Sequence, residues 1–207
     1  MNIAGSPISA RLLDGVASLP NLKVFEFLDS KNWANGHPHW RTRPHSSPIE
    51  RLLLDDVYIF SRSLACLMRS MRSPHVITYR PAHQHTLRYV NLLLNLLSLY
   101  RCRLSLEAFE LDINSVNTMV NPPVGADFLD FSGFQHLVRV KIPYWLLVPR
   151  STTDTNTAVA QFRAHFPPNI RKEKFDIYVV GTTRYQDAVD PNRTLARFQA
   201  VINGLPN

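Results

Sequence analysis

The sequence predicts an α/β array of strand–helix units joined in series, one strand of each unit adding to a mostly parallel sheet. Three observations predict it. A six-residue frame, apolar at its first, fourth and sixth positions, recurs along the 207-residue chain. Between its copies lie stretches whose apolar residues follow the helical period rather than the strand period. The composition, 45% hydrophobic and 19% charged, belongs to a folded chain rather than a disordered one.

The frame is clearest in Ile49-Glu-Arg-Leu52-Leu-Leu54-Asp-Asp-Val57. It returns at Leu22-x-x-Phe25-x-Phe27, Leu106-x-x-Phe109-x-Leu111 and Leu137-x-x-Val140-x-Ile142. Pro74-x-x-Ile77-x-Tyr79 is a looser copy, as is the stretch ending in Phe175-x-Ile177 with Lys172 at its first position. The starts at 22, 49, 74, 106, 137 and 172 are 27, 25, 32, 31 and 35 residues apart. This is the L-x-x-L-x-L strand of a leucine-rich repeat, at or slightly above its usual ~20–29-residue period. The expected fold is an irregular leucine-rich repeat solenoid of about six βα units. A compact α/β domain with a mixed sheet is the alternative. Residues 1–207 read as one domain, with irregular loops at about 32–48 and 114–133.

The helices follow in order. Ser61 stands before Leu64, Leu67, Met68 and Met71, an amphipathic helix with a Ser cap. Arg69 and Arg72 fall in its last turn, where cations suit the dipole, and Pro74 closes it. Thr86 caps a second helix from Leu87 to Tyr100, with Arg88, Asn91, Asn95 and Ser98 in one narrow polar stripe. A third is expected over about 157–166, with Val159, Phe162 and Phe166 on one face and Pro167-Pro168 as its stop. In the last, Asp190 caps, Pro191 takes the first helical position and Gly204 ends the run.

Leu87–Tyr100 is too short and too polar for a membrane span, which needs ~20 mostly apolar residues. No Lys or Arg precedes Arg11, so the start is a poor signal peptide. Two cysteines make no disulfide framework. A cytoplasmic or nuclear protein, a monomer by itself and not bound to membranes, is the expectation.

The blocks Leu19-Pro-Asn-Leu-Lys-Val-Phe, Pro48-Ile-Glu-Arg-Leu-Leu-Leu-Asp-Asp-Val, Phe134-Gln-His-Leu-Val-Arg-Val-Lys-Ile-Pro and Phe166-Pro-Pro-Asn-Ile-Arg carry a family likeness. They resemble the leucine-rich repeat portion of fungal F-box-type proteins, over roughly residues 19 to 180. Members of that family are substrate adaptors: an F-box recruits a ubiquitin-ligase scaffold and the repeats hold the substrate. Residues 1–18 are too few for an F-box, so the resemblance implies the substrate-holding half alone.

Chemistry-bearing motifs are sparse. His37, His39 and His45 cluster, with His83 and His85 elsewhere, but no Cys pair or His-Glu-x-x-His completes a metal site. Cys66 reads as a buried thiol, and Cys102 lies between Arg101 and Arg103, which could lower its pKa. No Gly-x-Ser-x-Gly, P-loop or dinucleotide-binding glycine pattern is present. Asp55 and Asp56 are strand neighbours facing opposite sides, unable to work as an acid–base pair. No catalytic residue, metal or cofactor is expected, and the chain reads as a non-enzyme. The formal charge of +7 raises polyanions as partners, yet the basic residues are dispersed, with no aromatic-and-basic module among them.

In such a repeat the residues between the frame positions line the concave face. Those with chemistry to offer a partner are Glu26, Arg51, Asp55, Arg80, Glu110, Asp112, Arg139, Lys141, Lys174 and Tyr178. Acids dominate the earlier strands and bases the later ones, predicting an acidic-leaning half beside a basic half, with Arg139 and Lys141 solvated. The expected function is a non-catalytic protein-binding module, and the resemblance implies the substrate-recognition part of a ubiquitin-ligase adaptor-like protein. A basic repeat protein that binds RNA or another polyanion is the alternative, nucleic acid being the less favoured partner.

Overall fold

Each apolar frame supplies one strand, and the strands lie side by side in chain order. The computed structural model describes residues 2–4, 9–30, 40–57, 59, 61–81, 102–112, 131–143, 160, 164 and 175–178. In chain order these form β1 (Asn2–Ala4), α1 (Ala10–Ala17), β2 (Val24–Ser30), β3 (Arg51–Val57), α2 (Ser61–Ser70), β4 (Val76–Pro81), β5 (Ala108–Leu111), β6 (Arg139–Pro143) and β7 (Phe175–Tyr178). The fold is α/β. Its sheet runs β1-β2-β3-β4-β5-β6-β7, and every neighbouring pair is parallel. The mixed sheet held as an alternative is absent among the described strands.

Register follows the frame. The fourth positions make one continuous row, Phe25, Leu52, Ile77, Phe109, Val140 and Phe175. The sixth positions make a second, Phe27, Leu54, Tyr79 and Leu111, with Ile3 of β1 beside Phe27. From Phe25 to Val140, both rows are buried. Leu13, Val16 and Ala17 of α1 and Leu64, Leu67 and Met68 of α2 are buried with them, and the two helices pack against each other. Farther along, Phe131 lies 6.0 Å from Phe109 and 5.3 Å from Phe134, ring centre to ring centre, and all three are buried. Truncating one such ring to Ala costs about 3–5 kcal/mol, so this cluster outweighs any single ion pair on the surface.

The starts of β3, β4, β5 and β6 are built alike. The second frame residue of one unit offers its carbonyl to two successive N–H groups of the next. Lys23 accepts from Glu50 and Arg51 at 2.8 and 3.0 Å, and Glu50 from His75 and Val76 at 2.7 and 3.1 Å. His75 accepts from Glu107 and Ala108 at 2.8 and 3.0 Å, and Glu107 from Val138 and Arg139 at 2.9 and 3.1 Å. Steps of unequal length thus end in one geometry, and the connectors absorb the difference. At the far end of β2 and β3, Asp29 and Asp56 take the left-handed conformation, with φ 49° and 51°. The register shifts there between Asp55 and Val57. Aspartate tolerates that region better than a branched residue would.

Three sequence expectations need correction or extension. Helix α2 ends at Ser70, so Met71 and Arg72 lie beyond its last turn. Met71 instead bridges Ser47 in parallel fashion. The stretch around 32–48 is not surface loop throughout: Ser47 is buried, its N–H donates to Ser70 O at 2.9 Å, and its carbonyl accepts from Arg72 at 2.9 Å. Neither β1 nor α1 was expected. Ser9 caps α1 by accepting from the Leu12 N–H at 3.2 Å. The helices expected over 87–100, about 157–166 and 191–203 fall outside the described residues, apart from helical backbone at 160 and 164.

Asp14 joins α1 to the stretch before β3. Its carboxylate accepts from the N–H groups of Arg41 and Thr42 at 2.9 and 2.8 Å, and from the Thr42 hydroxyl at 2.6 Å. Burial pushes this carboxyl up, but the Thr42 and Arg41 hydrogen bonds and the Arg41 charge outweigh it and hold it below the usual range. A lowered folded pKa means that Asp14 stabilises the fold fully above its unfolded value, about 3.9, and ceases to do so as pH falls through the folded value. Asp14→Asn is expected to cost about 1–3 kcal/mol at pH 7 in urea denaturation. That gap to the wild type should narrow as the pH is lowered into the acid range. At the next residue, a Cβ on Gly15 would meet nothing within 4 Å. Gly15→Ala is therefore expected to raise stability by about 0.5–1 kcal/mol in the same titration.

Candidate functional site

Strand alternation separates two faces, and the face opposite the core is the open one. Val24, Glu26, Leu28, Arg51, Leu53, Asp55, Val76, Thr78, Arg80, Ala108, Glu110, Arg139 and Lys141 alternate with the buried rows, and each is half-buried or exposed. Asp112, just past β5, is also half-buried. Lys174 lies outside the described residues. Tyr178 ends β7 opposite Pro143 in the register.

Cross-strand pairing gives this face its chemistry. Arg80 Nη1 donates to Asp55 Oδ2 at 3.2 Å, and Arg80 Nη2 to Glu110 Oε1 at 2.9 Å. Lys141 Nζ donates to the same Glu110 oxygen at 3.1 Å and to Asp112 Oδ2 at 3.2 Å. Five residues from four successive units thus form one chain of charge, Asp55–Arg80–Glu110–Lys141–Asp112. Glu110 is its middle, with a side chain 16% exposed between two cations. Burial raises its carboxyl pKa, but the hydrogen bonds and charges of Arg80 and Lys141 bring it below the usual range. For Lys141 burial works downward, and its bonds to Glu110 and Asp112 hold the ammonium above its usual value. The Glu110 hydrogen bond likewise raises the Arg80 guanidinium.

This pairing cancels charge across the boundary of the expected acidic and basic halves, and Lys174 of the basic half is outside the described residues. Lys141 is no solvated base: its side chain is 27% exposed and bound to two carboxylates. Arg139 is exposed, as is Arg51, and the two share one row across the sheet, Val24–Arg51–Val76–Ala108–Arg139. Glu26 lies half-buried in the adjoining row with Leu53, Thr78, Glu110 and Lys141.

A second line of charge borders the face and was missed from the sequence. Lys23 pairs with Glu50, and His75 Nδ1 lies 2.9 Å from Glu107 Oε1. The Lys23 hydrogen bond holds the Glu50 carboxyl below its usual range. Reading the second frame position as a column, Lys23, Glu50, His75, Glu107, would have found it. The cysteines also differ from expectation. Cys66 is half-buried, and Cys102 is buried with its thiol pushed up to about 12 by desolvation, opposite to the lowering its arginine neighbours suggested. His37, His39, His83 and His85 lie outside the described residues, and His45 is exposed with φ 58°. Among the described residues no cluster of three or more His, Cys, Asp or Glu is placed to hold a metal ion, and no helix is long and apolar enough to cross a membrane.

No family model matches this sequence, and no curated protein or solved structure matches it either.

The two later bases should part company on charge reversal. Lys141→Glu would place a fourth carboxylate among Asp55, Glu110 and Asp112, with Arg80 the one cation paired with them among the described residues. A loss of about 1–3 kcal/mol in urea denaturation at pH 7 is expected. Arg139→Glu should stay within about 0.5 kcal/mol of the wild type.

Proposed function

We propose that the chain is an irregular leucine-rich-repeat-type solenoid that acts as a non-catalytic protein-binding module, with the open face of its sheet as the contact surface. Sequential parallel strands in a common register, four of them begun by the same doubly accepting carbonyl, support the repeat reading. The resemblance to the repeats of F-box-type proteins suggests the substrate-recognition part of a ubiquitin-ligase adaptor, working in the cytoplasm or nucleus.

One observation carries the choice of partner. Arg80 and Lys141, two of the cations on the open face, are already neutralised by Asp55, Glu110 and Asp112 at 2.9–3.2 Å. A surface made for a polyanion keeps its cations free and aligned along the phosphates. Here apolar residues, Val24, Leu28, Leu53 and Val76, adjoin a nearly neutral ion-pair chain, which suits the mixed surface of a protein.

A photo-crosslinking residue at Thr78, on the open face, should yield a protein adduct in extracts of the source cells, and one at Leu19 should not. That adduct should resist nuclease and persist as salt is raised. A nuclease-sensitive adduct whose yield falls steeply with log salt would replace the protein reading with the polyanion one.

A further inference from the structure

We infer that Arg51 and Arg139 form a two-point clamp for an acidic, extended segment of a partner protein, laid across the strands with two carboxylates four residues apart. The inference rests on the protein-binding reading and names the chemistry of the partner.

Both arginines are exposed, and neither has an ion-pair partner among the described residues. The nearby acids are already engaged: Glu50 by Lys23, Glu107 by His75, and Glu110 by Arg80 and Lys141. Glu26 stands in the adjoining row, opposite Leu53 rather than Arg51. Among the described residues, then, nothing neutralises these two guanidiniums. Arginine suits an acidic partner because its planar fork binds a carboxylate through two parallel hydrogen bonds.

Their spacing selects the partner's shape. Arg51 and Arg139 are separated by three strand steps, through Val76 and Ala108, or about 14 Å at ~4.8 Å per step. An extended chain rises ~3.4 Å per residue and returns to one face every second residue. Residues i and i+4 of such a chain are thus about 14 Å apart on one face, and residue i+2 falls midway between them. Midway on the protein stand the half-buried Val76 and Ala108, which suit a small apolar side chain. A helical segment would need nine or ten residues to span the same distance, at ~1.5 Å each, and those would not share one face. The chain of paired charges above this row offers carboxylates as well as cations, so it does not compete for the acidic segment.

The test uses a fluorescein-labelled peptide, Ser-Glu-Thr-Val-Thr-Glu-Ser, read by fluorescence anisotropy at low salt. Saturable binding with a Kd below about 1 mM is expected. The variant R51E/R139E should weaken it about tenfold or more, and R51Q/R139Q should weaken it less. A peptide with its glutamates two residues apart should bind several-fold more weakly. Circular dichroism and thermal melts of both variants should match the wild type. Absence of saturable binding, equal affinity for the reversed variant, or equal affinity for the closer-spaced peptide overturns the clamp. Displacement of the peptide by a single-stranded oligonucleotide of equal charge at equal concentration overturns it as well. The broader reading is judged separately with L53R. If L53R abolishes the Thr78 adduct and R51E/R139E leaves it, the clamp is wrong and the open face remains the contact surface. If neither variant changes the adduct, both readings fall.

Discussion

The doubly accepting carbonyl at the start of β3, β4, β5 and β6 is the constraint on which the rest of the structure depends. Parallel neighbours have no hairpin to set their register, and each must be reached through a crossover. Here the carbonyls of Lys23, Glu50, His75 and Glu107 each take two N–H groups from the following unit, all between 2.7 and 3.1 Å. That contact fixes where the next strand begins, whatever the length of the connector before it. A slip of one residue would exchange the two faces of the sheet, exposing Phe25, Leu52, Ile77 and Phe109 and burying Arg51 and Glu110.

With the register held, the two faces take on different physical work. The inner rows, with the helices and the Phe109–Phe131–Phe134 cluster, supply the stabilisation, since each buried ring is worth several kcal/mol. The outer face contributes less per residue. Its Asp55–Arg80–Glu110–Lys141–Asp112 chain is most exposed at the Asp55–Arg80 end, where solvent weakens the pair. Glu110, the most enclosed of the five, is satisfied from both sides by strands on either flank. Such a chain orients side chains across four units. It also removes free charge from that part of the face, leaving Arg51 and Arg139 as a separate feature at the strand starts.

Much of this was legible as spacing. All six frames read from the sequence correspond to strands, because apolar residues at the fourth and sixth positions must share one face of an extended chain. Helix α2 was visible from Leu64, Leu67 and Met68 for the equivalent reason at the helical period. The three-residue β1 is too short to show any period, and it exists only because β2 offers an edge at Glu26, Phe27 and Leu28. In eight-residue α1, Gly15 weakens local propensity, and the clamp of Asp14 on Arg41 and Thr42 arises between residues 27 and 28 positions apart.

By itself the sequence determined which side chains go inward and which outward, since alternation along a strand is a local property of the extended backbone. It also determined the order of the units and the membership of the open face. Only the tertiary structure decided which charges on that face are spent on one another. Arg80, Glu110 and Lys141 are some 30 residues apart in sequence, and their meeting depends on parallel register and on the reach of each side chain toward its neighbour. Lys141 and Arg139 look alike as bases two positions apart on one strand. The first is bound because Glu110 lies directly across from it, whereas the second has no ion pair among the described residues, its neighbour on β5 being Ala108, which has no charge to give.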